Sequence, residues 1–130
     1  MATHTYILSL GSNTHNREAL MENATEWLRQ NFSCVRLSDI YNTAAFFGNA
    51  PDYLNMVAQV ESALTAEELI VAAKEFEQLC GRCHAPDHAQ NVAMDVDVMS
   101  CDGEILRPDE YGRTYFTKGL KQLFSRTLQN

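Results

Sequence analysis

Alternating apolar and polar residues predict four principal β-strands along the chain. The two-residue period of a strand occurs in the segments 6–10, 34–41, 53–61 and 93–99. Within the second segment we expect the side chains of Val35, Leu37 and Ile40 to face inward. Gly11-Ser12-Asn13 forms a turn after the first strand, and Cys101-Asp102-Gly103 predicts a hairpin with a brief return strand at Ile105 and Leu106.

Between these strands, apolar residues follow the period of a helix. Asn16 is placed to cap a helix over residues 17–31, and the capping-box pair Thr65 and Glu68 opens a second helix that ends near Leu79. The residues predicted to face inward are Leu20, Met21, Ala24, Trp27 and Leu28 in the first helix and Leu69, Ile70, Ala73, Phe76 and Cys80 in the second. A third helix is predicted near residues 117–128, with the inward residues Leu120, Leu123, Phe124 and Leu128.

The order of these elements is β-α-β-β-α-β, followed by a C-terminal helix. This order predicts an α+β, ferredoxin-like fold, in which helices cover one face of a mainly antiparallel sheet. The other face is then left for loops or a ligand. Residues 42–52 and 83–92 lack a regular pattern and are expected to form loops. The length of 130 residues fits one domain over residues 1–130.

Composition narrows the classes of partner. With 45% hydrophobic and 21% charged residues, the chain has the composition of an ordinary globular protein. The net charge of −7 argues against a nucleic-acid surface. Half of the basic residues lie in the last 24 positions, where an anionic ligand would be attracted; they are Arg107, Arg113, Lys118, Lys121 and Arg126. No segment resembles a signal peptide or the ~18 apolar residues of a membrane span, so we expect a cytoplasmic protein without a membrane partner.

The string Cys80-Gly81-Arg82-Cys83-His84 has three interpretations. It matches the C-x-x-C-H pattern of haem attachment, although that chemistry requires export from the cytoplasm. Cys80, Cys83 and His84 could instead bind zinc together with His88. The interpretation that needs no ligand is a pair of incidental thiols at a helix end, with Cys80 partly buried.

Asp95 and Asp97 are the strongest candidates for chemistry. They lie two apart on a predicted strand, so both carboxylates project from one face, roughly 6–7 Å apart at the backbone. Aspartate is depleted in strands, and a divalent cation such as Mg²⁺ is the natural partner for a carboxylate pair. The alternative is an ordinary solvated strand face.

Five short strings together resemble one family. They are Tyr6-Ile7-Leu8-Ser9-Leu10-Gly11-Ser12-Asn13, Tyr41-Asn42-Thr43, Pro51-Asp52-Tyr53-Leu54-Asn55, Gly81-Arg82 and Asp95-Val96-Asp97-Val98-Met99. In order and spacing they resemble 6-hydroxymethyl-7,8-dihydropterin pyrophosphokinase, a transferase of folate biosynthesis. That family moves pyrophosphate from ATP to a pterin alcohol. The resemblance covers residues 6–100, with weaker traces to residue 115.

The resemblance implies roles for the charged residues. Asp95 and Asp97 would hold two Mg²⁺ ions that bridge ATP and the pterin hydroxyl, and Arg82 would contact phosphate as a third catalytic residue. The residues that would face ATP are Glu77, Arg82, His84 and Arg113. Two alternatives stay open: Arg82 as a cation favoured at a helix C-terminus, and Glu77 on a solvated helix face.

The resemblance also implies a pterin pocket. A flat ring with a polar edge calls for aromatic stacking and an amide. Tyr53 and Asn55 lie on one strand face and can supply both, and the backbone from Thr43 to Ala45 would read the ring edge. Tyr115 would be a second stacking ring.

The sequence departs from the family before Asp95. The family usually has Trp-Gly-Pro-Arg where this chain has the run from Ala89 to Val92, and His84 replaces a second arginine. Lost phosphate contacts would slow the reaction, unless Arg107, Arg113 or Lys118 compensates. Two functions follow: an active pyrophosphokinase, or a non-catalytic relative that binds a pterin, a nucleotide or a protein partner.

Overall fold

The computed structural model describes residues 2–44, 51–82 and 92–129 of the chain. Its elements are β1 (His4–Ser12), α1 (Arg17–Asn31), β2 (Ser33–Leu37), β3 (Tyr41–Thr43), β4 (Tyr53–Ser62), α2 (Ala66–Leu79), β5 (Asp95–Cys101), β6 (Glu104–Ile105), α3 (Pro108–Tyr111) and α4 (Thr114–Gln129). The predictions for Ala45, Cys83, His84, His88 and Ala89 lie outside the described residues. No helix in the described segments combines the length and hydropathy needed to cross a bilayer.

The strands form one open sheet, which confirms the predicted α+β fold with a mainly antiparallel sheet. The strand order is β2-β4-β1-β5-β6, and β3 also pairs with β4. Each described pair is antiparallel. Gly11 on the central strand β1 lies opposite Asn55 on one side and Asp95 on the other. The end of β1 therefore brings together two strings that are 40 residues apart in sequence.

The main core lies between the sheet and the two central helices. Residues of even number on β1, on β4 and on β5 as far as Val98 point toward α1 and α2, because side chains alternate along a strand. The buried residues of this core include Leu8, Leu10, Met21, Leu28, Met56, Leu69, Met94 and Val98. Buried Leu, Met and Val side chains each contribute about 1.5–3 kcal/mol of hydrophobic free energy, so this layer provides most of the driving force for folding.

The opposite face of the sheet is partly covered by α4. Phe116, Leu120 and Leu123 are buried there against Val57 and Met99. A β-carbon on Gly119 of α4 would lie 2.5 Å from a methyl of Val57, so only glycine permits this close approach. This face was predicted to be covered by loops or a ligand. It is partly covered by α4 because the apolar side of that helix packs on apolar residues of the sheet. Phe124 was predicted inward, but it is 55% exposed.

Several local predictions are confirmed by hydrogen bonds and dihedral angles. The backbone N–H of Glu68 donates to Thr65 Oγ1 over 3.2 Å, and the N–H of Thr65 donates to Glu68 Oε1 over 2.9 Å, which completes the capping box. Gly81 has a φ of 94° after α2, and Asp102 and Gly103 have positive φ in the β5–β6 turn. These left-handed conformations suit glycine and, less readily, aspartate.

Other local predictions were wrong. The predicted strand over residues 34–41 is divided into β2 and β3, because Ser38 interrupts the pattern: its hydroxyl accepts a hydrogen bond from the N–H of Val57. Ile40 and Ile70, both predicted inward, are 43% and 39% exposed. Asn16 stands at the N-cap of α1 but makes no side-chain capping bond, since its Oδ1 accepts from Thr14 Oγ1 instead.

Candidate active site

Two clefts meet at Asp95, which lines both of them. The first cleft, of about 380 Å³, lies on the sheet face that carries α4; its lining residues are Ser9, Gly11, Thr43, Ala44, Tyr53, Asn55, Asp95, Glu110, Arg113 and Tyr115. The second cleft, of about 340 Å³, lies between α2 and β5; its lining residues are Ile70, Lys74, Glu77, Arg82, Asp95, Val96, Asp97, Val98, Leu106 and Arg107. Both volumes suit small-molecule ligands.

The second cleft reaches the backbone of β5 because, among the described residues, only one end of that strand edge pairs with β6. In the described pairings, β6 covers Ser100 and Cys101 of β5. The stretch from Asp95 to Val98 lines the cleft instead. The sequence therefore places both aspartates at an accessible sheet edge.

Asn55 forms the polar floor of the first cleft. It is 5% exposed, and its amide nitrogen donates a hydrogen bond to Thr43 Oγ1 on β3. A β-carbon on Gly11 would lie 2.7 Å from the amide oxygen of Asn55. Glycine at this position thus leaves room for the amide, which a buried asparagine needs for its remaining hydrogen bonds.

Two tyrosine rings lie along the first cleft. Burial and then the nearby charge of Asp95 raise the pKa of Tyr53. Burial, followed by the charge of Asp97, raises the pKa of Tyr115 to about 12. Both hydroxyls therefore stay protonated at neutral pH and act as neutral donors beside aromatic surfaces.

Arg82 connects α2 to the start of β5. Its guanidinium donates to Asp95 Oδ1 over 2.9 Å and to the carbonyl oxygen of Met94 over 3.2 Å, and it lies 3.6 Å from Glu77 Oε1. Glu77 accepts a 2.8 Å hydrogen bond from the N–H of Val96. Burial raises the pKa of Glu77 even though the Val96 and Arg82 contacts lower it. Glu77 thereby positions both Arg82 and the aspartate-bearing strand.

Arg107 connects the two clefts from the other side. Its Nε lies 3.8 Å from Asp97 Oδ1, and its terminal nitrogen donates to Glu110 Oε1 over 3.0 Å. Arg107 lines the second cleft and Glu110 lines the first. Each aspartate therefore has an arginine partner, yet both carboxylates remain on a cleft wall.

The donor set at Asp95 and Asp97 fits a divalent cation. The Asp97 side chain is only 16% exposed, and burial followed by repulsion from Asp95 raises the pKa of Asp97 to about 8. Ionisation of a buried carboxyl beside a second carboxylate costs free energy unless additional positive charge is close to it. Carboxylate oxygens are the ligands that Mg²⁺ prefers, so these two residues have the chemistry to hold it.

Asn13 ties together the chain segments that border the site. Its backbone N–H donates to the carbonyl of Val92 over 3.0 Å, and its side-chain oxygen accepts from the N–H of Val92 over 2.6 Å. Its amide nitrogen donates to the carbonyl of Pro51 over 3.3 Å. Val92 is thus held at the end of β1 by its backbone.

The structure brings most of the sequence-predicted residues to the two clefts. Thr43, Tyr53, Asn55 and Tyr115 line the first, whereas Glu77 and Arg82 line the second. Arg113, which the resemblance implies would face ATP, lines the first cleft. The Lys118 ammonium lies over the ring of Tyr41, 5.3 Å from its centre.

Three residues that line the clefts were not predicted from the sequence as site residues: Lys74, Glu110 and Ser9. Lys74 lies one helical turn before Glu77, so the i, i+3 spacing on α2 could have indicated it. Glu110 belongs to α3, a four-residue helix that no periodic pattern predicted. Ser9 lines the first cleft because it shares the strand face of Gly11.

Two sequence comparisons with known proteins identify the family of the chain. A sequence model of the family described as 7,8-dihydro-6-hydroxymethylpterin-pyrophosphokinase matches residues 7–125. The curated 2-amino-4-hydroxy-6-hydroxymethyldihydropteridine pyrophosphokinase of Aquifex aeolicus (strain VF5) is 28% identical over 104 residues, which are 79% of this chain and 64% of that protein. The match thus spans less than two thirds of the length of this relative. The family model covers most of the residues of this chain. The chain therefore belongs to the 7,8-dihydro-6-hydroxymethylpterin-pyrophosphokinase family.

Proposed function

We propose that the chain transfers pyrophosphate from MgATP to the hydroxymethyl group of 6-hydroxymethyl-7,8-dihydropterin, a step of folate biosynthesis. Family membership supports this reaction class. The observation that carries the proposal is the position of Asp95, which lines both clefts. A reaction between two bound molecules needs such a shared wall, because its reacting atoms must come within contact distance.

The pterin is proposed to occupy the first cleft. Tyr53 and Tyr115 offer aromatic surfaces for its flat ring. The buried amide of Asn55 and the backbone near Thr43 offer donors and acceptors for its polar edge. The hydroxymethyl group would then point toward Asp95.

ATP is proposed to occupy the second cleft. Its polyphosphate is highly anionic, and Lys74, Arg82 and Arg107 bring three positive charges to this cleft. An arginine guanidinium matches phosphate oxygens with two parallel donors. Arg82 is held by Met94 and Glu77, so it is oriented before the nucleotide arrives.

Asp95 and Asp97 are proposed to hold Mg²⁺, with two ions expected from the family resemblance. When bound, the metal neutralises the phosphates and favours ionisation of the pterin hydroxyl. In the reaction, a bond forms between the hydroxymethyl oxygen and the β-phosphorus of ATP. The bond between that phosphorus and the oxygen bridging to the α-phosphorus breaks, AMP leaves, and the hydroxyl proton is released to solvent. Arg82 and Arg107 would stabilise the charge that develops on the phosphates.

A coupled assay of AMP release tests the proposal. With MgATP and hydroxymethyl-dihydropterin the chain should release one AMP per pterin consumed, and omission of the pterin or addition of EDTA should abolish release. Absence of turnover in a folded chain that still binds pterin by calorimetry would overturn the catalytic proposal in favour of a non-catalytic binding protein. If the chain bound neither MgATP nor the pterin, the placement of both substrates would be overturned.

A further inference from the structure

A second group of metal-ligating side chains lies at the opposite end of β1. His4, Cys101 and Asp102 each present one ligand atom, and these atoms lie within 4.8 Å of one another. Among the described residues no other group of three or more His, Cys, Asp or Glu side chains meets this spacing. His4 and Gly11 are seven residues apart on β1, or about 23 Å at 3.3 Å per residue, so this group is separate from the two clefts.

The sheet register creates the group. Tyr6 on β1 pairs with Cys101 at the end of β5, which brings His4 next to the turn that begins at Asp102. The N–H of Asp102 donates to the carbonyl of Thr5 over 2.8 Å, and the N–H of Thr5 donates to Asp102 Oδ1 over 2.8 Å. One carboxylate oxygen is therefore fixed by the backbone, and the other is directed at His4.

The distances are close to those of a tetrahedral site. His4 Nδ1 lies 2.7 Å from Asp102 Oδ2, and Cys101 Sγ lies 3.9 Å from the same oxygen. Around a zinc ion with ordinary bond lengths, the corresponding separations are about 3.3–3.6 Å. Side-chain rotations that move these atoms by less than about 1 Å would suffice, and the half-exposed positions of His4 and Asp102 leave room for them.

We propose that His4, Cys101 and Asp102 bind a divalent transition metal of the zinc class and thereby tie the start of β1 to the β5–β6 turn. The ligands are one imidazole nitrogen, one thiolate and one carboxylate. This borderline set favours zinc over Mg²⁺. Binding displaces the thiol proton of Cys101 to solvent, and the imidazole coordinates through Nδ1 with its proton on Nε2. Water completes the coordination of the ion.

Cobalt(II) titration of the full chain tests the site, since thiolate ligation produces a charge-transfer absorption band in the near ultraviolet. A Cys80→Ser/Cys83→Ser background removes the C-x-x-C-H string as a source of that band. The matched control is Cys34→Ser, which removes an exposed thiol elsewhere. The band should persist in the background chain and with Cys34→Ser, and it should disappear with Cys101→Ser. His4→Gln and Asp102→Asn should each raise the Kd by more than about tenfold, because even the loss of an outer-shell partner of a metal ligand typically costs about 10–100-fold in affinity.

Two results of the cobalt titration would overturn the proposal. One is the absence of the band in the background chain, which would leave only an ion pair between His4 and Asp102. The other is a band that Cys34→Ser removes and Cys101→Ser does not. A second measurement needs no cysteine variant: Zn²⁺ should raise the Tm of the unaltered chain more than that of His4→Gln, because an ion that binds only the folded state stabilises it. Equal shifts in Tm would contradict the site.

Discussion

The first and second clefts share Asp95 but differ in what their other walls offer. The first combines two tyrosine rings with the buried amide of Asn55. The second combines the cations Lys74, Arg82 and Arg107 with three carboxylates. A neutral ring is recognised by stacking and directed hydrogen bonds, whereas a polyphosphate requires fixed positive charge. The difference between the walls is what assigns one proposed substrate to each cleft.

Removal of Asp95 should have the largest effect, because this residue belongs to both clefts. We expect Asp95→Ala to lower kcat in the AMP-release assay by about 10²–10³-fold or more, the size of effect seen when a transition-state contact is lost. Its side chain is 40% exposed, so the Tm should change little. The control is Glu104→Gln, which neutralises an exposed acid on β6. Retained activity in Asp95→Ala would contradict the proposal that Asp95 serves both substrates.

Arg82→Ala should affect the second cleft alone. Loss of its phosphate contact should lower kcat/KM for ATP by about 10²-fold, with an unchanged Kd for the pterin. Arg82→Lys keeps the charge but not the paired donors, so it should recover only part of the activity. A large rise in the pterin Kd of Arg82→Ala would show that the clefts are not separate in their recognition.

Gly11→Ala should affect the first cleft alone. The new β-carbon would lie 2.7 Å from the Asn55 amide oxygen, so the amide must move. We expect the Kd of the pterin, measured by calorimetry, to rise by about tenfold, the equivalent of one lost hydrogen bond. The matched control is Gly112→Ala, because a β-carbon there meets nothing within 4 Å. An equal effect of both substitutions would contradict the role of Asn55.

Arg113→Ala tests which of the two proposed substrates Arg113 contacts. The sequence resemblance implies that Arg113 would face ATP, and the structure has Arg113 on the wall of the first cleft, which is the proposed pterin site. We expect the Kd of the pterin to rise by about threefold to tenfold while the Kd of ATP stays unchanged. Lys118→Ala, in the same region but over the Tyr41 ring, provides the comparison. A selective loss of ATP affinity in Arg113→Ala would support the sequence-based assignment.

Asp97→Asn should also change the stability of the fold in the absence of metal. The pKa of Asp97 is raised to about 8, so its contribution to stability is present below the ordinary aspartate pKa and is lost as the pH rises through 8. Asparagine does not ionise, so the variant does not lose stability as the pH rises. With EDTA at pH 8 we expect the free energy of unfolding to increase by about 1–2 kcal/mol, with little difference near pH 4. A lower Tm for the variant at pH 8 would contradict this expectation.

Local patterns predicted the elements that local interactions determine. The capping box at Thr65 and Glu68 and the apolar stripe of α1 depend on residues a few positions apart, so the sequence alone could reveal them. The common face of Asp95 and Asp97 likewise follows from the two-residue strand period. Such features need no knowledge of the tertiary fold.

The features that were missed depend on distant contacts. Ser38 divides a predicted strand through a bond to Val57, 19 residues away, and no local pattern encodes that partner. Arg107 reaches Asp97 only after the β5–β6 hairpin has formed. The position of Glu110 on the first cleft depends on how α3 packs beside α4, which periodicity cannot specify.

A crystal structure with Mg²⁺, the non-hydrolysable αβ-methylene analogue of ATP and the pterin tests the central claim most directly. The account predicts metal density on Asp95 and Asp97, the pterin ring between Tyr53 and Tyr115 in the first cleft, and the triphosphate against Arg82 in the second. Density for the nucleotide away from the second cleft, with both aspartates bound only to their arginine partners, would contradict it.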